Sequence, residues 1–380
     1  MERVELWFDP NATIHISQIL VGFALLAQQG KLTLRCRREA FAHRFGHNQV
    51  VLARFADGCA AVFDTHDNGR LHVAPEVFDD SMRALAVRGY FRRSFRREYY
   101  AACESAALQH PLGFNYHLSC PGNPYSRIIP AEALRAFRDP AKRHILLRKL
   151  LAGLPFGRLS DRQFYPECFA QTAAHPAEER ILFHTRTWFP LEEHDPTCSP
   201  KNIEGLLARY PNLTYIFEMD ETRAKLIRLL RREYGSRAAA GFAHSRFAQA
   251  MYPDLILPRT DTRRARYLRT MRRAAVCLTT IGLSQSTGWK FGEYVSAAQA
   301  IVSEPLFFEV PGEFRAGENY LAFRAPEEAL AQSEALLCDP LRALGMRERN
   351  EAYYQRYLRP EALVGNCLDS LIRQKEGVEG

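Results

Sequence analysis

This chain has no GxGxxG or Walker loop, no HExxH and no GxSxG. Dehydrogenase, kinase, zinc-protease and esterase chemistries therefore have no motif to rest on. Its nine cysteines are scattered from Cys36 to Cys367 without a CxxC or paired spacing, which speaks against a zinc site or disulfide framework and for a reducing compartment. Long apolar runs are also missing: the best, residues 14–27, is short for a bilayer and is broken by Ser17 and Gln18, so no spanning helix is expected. The opening MERVELWFDP carries acids where a secretion signal carries a basic flank, and no such signal is read there. Lysine is scarce. Seven of the 51 basic residues are Lys, so the net charge of +8 is an arginine charge that genome composition explains as readily as phosphate contact.

The 380 residues are more than a single core usually accommodates, so two domains are expected. A hydrophobic content of 47% with 25% charged residues supplies ample core and gives no reason to expect disorder. No repeats or low-complexity tracts interrupt the pattern.

The most informative stretch is TIGLSQSTGWKFGEYVSAAQAIVS, residues 280–303. It reads as a polar Ser/Thr/Gly loop running into a helix and then a short buried strand. Small hydroxyl residues before a helix N-terminus offer backbone N–H groups, side-chain donors and a positive dipole end, which suit a diphosphate. Lys290 lies at the helix start and Glu293 one turn in, a cation for phosphate and a carboxylate to accept from ribose hydroxyls. The alternative is an ordinary helix capped by Ser286 or Thr287.

The N-terminal half opens as βαβ: a strand at 4–8, an amphipathic helix over 11–29 and a strand at 32–36. Strands at 50–55 and 59–64, around Asp57-Gly58, predict a short hairpin or antiparallel excursion. The segment RGYFRRSFRREYY, residues 88–100, interleaves Arg with aromatics and has two readings. It is either a nucleic-acid-binding stretch or an amphipathic segment with its aromatics inward and its arginines outward. The basic run at 260–276 places Tyr267, Leu268, Met271 and Ala275 at helical spacing, so its arginines read as a solvated face, which can also lie on an anionic membrane. Residues 151–180, with three prolines and two glycines, are the expected interdomain crossing. Beyond it come strands at 181–185, 213–217 and 238–242 alternating with helices at 202–210 and 221–234, a parallel-sheet pattern.

From residue 263 to 346 the order is helix, apolar strand (274–280), hydroxyl loop, helix, strand, Gly-rich loop (311–319), short strand (320–323), then an acidic helix closing with LLCDP. This resembles the C-terminal donor domain of GT-B glycosyltransferases of the family-1/family-4-like group, over roughly residues 178–350. In that group two glutamates with seven residues between them flank the donor loop. Here the positions are Gln285 and Glu293, so the first carboxylate is a neutral amide. The resemblance implies an α/β fold of two Rossmann-like domains facing across a cleft. It divides the chain into an acceptor-binding domain at 1–165, a nucleotide-sugar domain at 178–350, and C-terminal helices at 351–380 crossing back onto the first domain.

The same resemblance implies a hexosyltransferase that needs no metal and no cofactor beyond its nucleotide-sugar donor. Its donor site would comprise Arg186, Lys201, Gln285, Ser286, Thr287, Gly288, Lys290 and Glu293. The nearest approach to a DxD metal motif is Asp64-Thr65-His66-Asp67. To take the acceptor's proton, the candidates are Asp64 and His66 at a strand end, with Asp67 beside them, and His15 or His110. The expected setting is surface-glycan or glycoconjugate assembly in the cytoplasm, with a glycan, lipid-linked or other hydroxyl acceptor and a peripheral place on the inner membrane face. Two other readings stand beside it: a nucleic-acid binder using residues 88–100, and a GT-B-shaped binding subunit without turnover, for which Gln285 is the hint.

Overall fold

The structure, a computed structural model, describes residues 2–9, 12–127, 161–190 and 199–378. Residues 151–160 of the expected crossing at 151–180 therefore lie outside the described residues. Two sheets organise the rest. The first has the order β2-β1-β3-β4-β5-β6, with β1 Glu2–Phe8, β2 Leu32–Arg38, β3 Val50–Arg54, β4 Ala60–Asp64, β5 Val87–Arg92 and β6 Gln109–Pro111. Within it β3 runs antiparallel to both neighbours, and the other pairs are parallel. The antiparallel excursion read around Asp57-Gly58 is this strand pair.

The second sheet has the order β11-β10-β9-β7-β8 and is wholly parallel, with β7 Glu178–Thr185, β8 Ala238–Phe242, β9 Ala274–Thr279, β10 Ile301–Ser303 and β11 Leu321–Ala322. Its strands are short apolar runs buried on both faces, as parallel strands covered by helices must be. The principal helices are α1 Ser17–Gln28, α2 Pro75–Ala84, α3 Thr214–Tyr234, α4 Arg264–Arg273, α5 Trp289–Ser296, α6 Pro326–Cys338, α7 Pro340–Tyr353 and α8 Pro360–Val378. The α/β class with two Rossmann-like sheets is the one expected.

One predicted strand is a helix. Residues 213–217 carry the β-formers Thr214, Tyr215 and Phe217, but they open α3. Leu213, Ile216, Ala224, Ile227 and Leu230 are buried at spacings of three or multiples of a helical turn while Tyr215 is exposed. Tertiary burial along one stripe outweighs local β preference.

The two polar residues that break the apolar run of α1 have defined partners. Ser17 Oγ accepts from the Leu118 N–H at 3.3 Å, and Gln18 accepts from the Tyr116 N–H and donates to the Leu358 carbonyl. They satisfy backbone that packs against a buried helix and would otherwise be orphaned. One turn beyond Gln18, α1 meets α8 so closely that a Cβ on Gly22 would collide with the Pro360 carbonyl and the Val364 side chain. The C-terminal helix thus crosses back onto the first half of the chain. No helix among the described residues is long and apolar enough to cross a membrane.

Candidate active site

The carboxyl ends of the two sheets face each other across a cavity of about 500 Å3, the position where open α/β sheets hold their ligands. From the first half come His15 beyond β1, Asp67 beyond β4 and Arg93 beyond β5. From the second come the β7 end with His184, Arg186 and Trp188, the β9 end with Thr279 and Thr280, and the hydroxyl loop with the start of α5.

Five cations line this cavity, Arg93, Arg186, Arg223, Arg264 and Lys290, against two carboxylates, Asp67 and Glu293, among the described residues. Both carboxylates are engaged: Asp67 pairs with Arg93, and Glu293 is buried, accepts from Tyr267 Oη at 2.6 Å and pairs with Arg264 Nη1 at 2.9 Å. Among the described residues Nε and Nη2 of Arg264 are buried without a hydrogen-bond partner, beside the rings of Phe164, Phe169 and Tyr267. Lys290 lies 4.3 Å from the centre of the Tyr267 ring. Burial pulls its ammonium down to about 8, with Glu293 opposing and Arg264 and Arg186 adding to the fall. Arg186 stacks its guanidinium 3.7 Å over Trp188. His184, buried at the end of β7, is held neutral at about 3 by burial and by Lys290. Of the five cations, Arg93 pairs with Asp67, Arg264 with Glu293 and Arg223 with Asp220, so the positive surplus rests on Arg186 and Lys290, which form no ion pair with a carboxylate among the described residues.

The loop that enters α5 is strained and uncapped. Ser284 and Gln285 are successive non-glycine residues with left-handed φ of 55° and 59°, a conformation costing on the order of 1–2 kcal/mol each. It is held by Gly282 N–H to Ser286 O at 2.7 Å and by Ile281 N–H to the Glu304 carboxylate at 2.8 Å. The N-cap of α5 is Gly288, which has no side chain to cap the helix, and among the described residues no other side chain caps it. Neither Ser286 nor Thr287 does so, which leaves the positive end of the helix to the cavity that Gly288 and Lys290 line.

The candidates read from the sequence divide here. His15, Arg186, Ser286, Gly288, Lys290 and Glu293 line the cavity. Thr287 borders it, its carbonyl accepting from Arg93. Gln285 is exposed on the loop, outside the cavity wall, as is Lys201 in the turn before the helix Ile203–Arg209.

Asp64 and His66 are not in the wall either. Asp64 is fully buried; its carboxylate accepts from the Tyr90 hydroxyl and the His66 N–H, each at 2.8 Å, and lies in ion-pair contact with Arg92 Nε at 3.3 Å and beside His47 Nε2 at 3.4 Å. Burial alone would raise its pKa, but Arg92 and His47 outweigh that and hold it well below the usual carboxylate range. It is a permanently charged structural acid with no access to an acceptor. His66 packs its ring against His47 and His72, with centroids 4.5 and 4.4 Å away. His110 lies on β6 against Phe91. Among the described residues no group of three His, Cys, Asp or Glu is arranged to hold a metal.

The segment at 88–100 follows its amphipathic reading in part: Tyr90, Phe91, Phe95 and Tyr100 are buried and Arg97 is exposed, but not every arginine points outward. Arg92 and Arg93 are buried. Arg88 pairs with Asp57, Arg92 with Asp64, Arg93 with Asp67 and Arg96 with Glu98. The segment also joins the two halves of the molecule, where Arg96 stacks on Phe307 and the backbone N–H of Arg97 donates to Glu309.

No protein-family model and no curated protein matches this chain. Among solved structures it is similar to Anabaena HepE in complex with UDP and glucose, at TM-score 0.37 and 9% identity over 98% of this chain and 100% of that one. HepE with UDP-glucose gives TM-score 0.35 at 8% identity over 97% and 100%, and HepE with UDP gives 0.33 at 8% over 98% and 100%. Likeness at this level carries neither a fold nor a function from one chain to the other.

Proposed function

We propose that this protein is a GT-B glycosyltransferase that moves a hexosyl group from a nucleoside-diphosphate sugar to a hydroxyl acceptor, without a metal, in surface-glycan or glycoconjugate assembly. The observation that carries this reading is the cavity's excess of cations at the uncapped N-terminus of α5. A diphosphate brings the negative charge that such a wall lacks. In this reading Arg186 and Lys290 neutralise the leaving diphosphate, the hydroxyl loop and the first turn of α5 donate to its oxygens, and Glu293 accepts from ribose.

His15 is the acceptor-side base in this scheme. Burial and Arg93 lower its pKa against the pull of Asp67, so the imidazole is neutral near pH 7 and able to take a proton. Asp67 Oδ1, 4.0 Å from His15 Nδ1, is placed to stabilise the imidazolium that forms. The resting distance is longer than a hydrogen bond, as catalytic contacts often are before substrate binds. We favour this reading over nucleic-acid binding because four arginines of the segment at 88–100 meet carboxylates of this chain.

A thermal-shift screen of UDP, GDP and ADP, each against its nucleoside, tests the reading. A diphosphate at 100 times its Kd is expected to stabilise the protein by about 2.7 kcal/mol, and the nucleoside by much less at the same concentration. If no diphosphate raises the melting temperature, or nucleosides do so equally, the reading is wrong.

A further inference from the structure

The lips of the cavity are loops from separate strands. One follows β7 and carries Arg186 and Trp188; the other follows β9 and carries Thr280, Ile281 and the hydroxyl residues. Between them, on the buried stripe of α3, stand Asp220 and Arg223, with side chains 0% and 3% exposed. Arg223 Nε donates to Thr280 Oγ1 at 2.9 Å, Nη2 to the Ile281 carbonyl at 2.8 Å and Nη1 to the Arg186 carbonyl at 3.1 Å. Asp220 takes the N–H groups of Trp188 and Phe189 at 2.9–3.0 Å and pairs with Arg223 at 3.5 Å.

We infer that Asp220 and Arg223 form a positioning pair that sets the distance between the β7 and β9 loops and so places Arg186 and the hydroxyl loop for the diphosphate. The inference rests on the proposed diphosphate site and adds the residues that shape it. Two further features favour it over ordinary packing. A buried ion pair gives little net stability compared with apolar residues of the same volume, yet this one occupies a core stripe that Ile216, Ala224 and Ile227 otherwise fill. Its hydrogen bonds also run to these two loops, which α3 itself does not form. A planar guanidinium reaches three acceptors in fixed directions, which a lysine ammonium on the same stem does not reproduce.

The probe is inorganic pyrophosphate, the base-free part common to nucleoside diphosphates, titrated by calorimetry into the full chain. Arg223→Lys keeps the charge and loses the fork, and Asp220→Asn keeps the shape and loses the charge. Each variant that melts within a few degrees of the parent is expected to bind pyrophosphate at least about tenfold more weakly, the scale of one charge-assisted hydrogen bond. Because the pair acts through Arg186, the loss caused by Arg223→Lys should shrink in an Arg186→Gln background, a non-additivity that independent contributions do not produce. Parent-like binding by Arg223→Lys, or full additivity with Arg186→Gln, overturns the positioning role and leaves the proposed function standing. If the parent binds neither pyrophosphate nor any nucleoside diphosphate, the diphosphate site falls and the pair's role falls with it.

Discussion

Two groups of charged and imidazole side chains sit at strand ends in this molecule, and they are built on opposite plans. At the end of β4, Asp64 gathers Arg92, His47, Tyr90 and the His66 backbone around itself. Around the ends of β7 and β9, Arg264 pairs with Glu293, while Arg186 and Lys290 form no ion pair with a carboxylate among the described residues. The first group is closed and neutral within itself, which holds strands together. The second is open and unbalanced, and an unbalanced wall around a cavity is a wall that awaits an ion of opposite sign. Residue types alone do not separate the two plans. Pairing does.

The contrast breaks most easily at Asp64. Replacing it with Asn leaves the Arg92 charge buried without compensation, so unfolding in urea should show a loss of about 3–5 kcal/mol. Diphosphate binding by the fraction that remains folded should be unchanged. A variant of parental stability would mean that the closed group is not structural.

In the open group the same kind of deletion should act on ligand rather than on fold. Lys290→Ala and Arg186→Ala are each expected to weaken UDP by about 1.5–3 kcal/mol, the worth of a hydrogen bond to a charged group. Uridine should bind as before. Equal losses for both ligands would assign these residues to the fold.

The pH dependence of binding sharpens the point. With its pKa at about 8, Lys290 is charged below that value and neutral above it, so diphosphate affinity falls as pH rises from 7 to 9. The fall should reach about tenfold, corresponding to one proton and about 1.4 kcal/mol. In Lys290→Arg, whose charge does not titrate in that range, the slope should vanish. A slope that persists there would trace to another group.

The smallest effect belongs to an exposed pair. Arg88 and Asp57, with side chains about two-fifths exposed, meet at 3.0 Å. Arg88→Gln should cost less than about 1 kcal/mol in the same urea experiment. A larger loss would place the pair with the closed cluster.

The second half of the chain is largely legible in the sequence, because apolar strands and amphipathic helices alternate there with short connections. The loop at 280–288 is recognisable from its small hydroxyl residues, and Lys290 and Glu293 from their distance beyond it. Asp64 misleads because a carboxylate at a strand end looks the same whether it faces solvent or a buried arginine 28 residues away. Arg264 reads as part of a solvated face, whereas its guanidinium turns inward to Glu293. A signal for Asp220 and Arg223 is present in the sequence: they fall on the stripe of α3 that Ile216, Ala224 and Ile227 mark as buried. Charged residues at core positions must be paired, and asking with what leads to the cavity lips.

The embrace of α1 by α8 has a consequence for how the chain is made. The face of α1 that meets Pro360 and Val364 leaves the ribosome more than 300 residues before its cover does. The first half of the protein must therefore wait through most of its own synthesis with an apolar groove open, at a translation rate of about 5–20 residues per second. For tens of seconds that groove is a natural foothold for chaperones, and its closure is among the last steps on the way to the finished molecule.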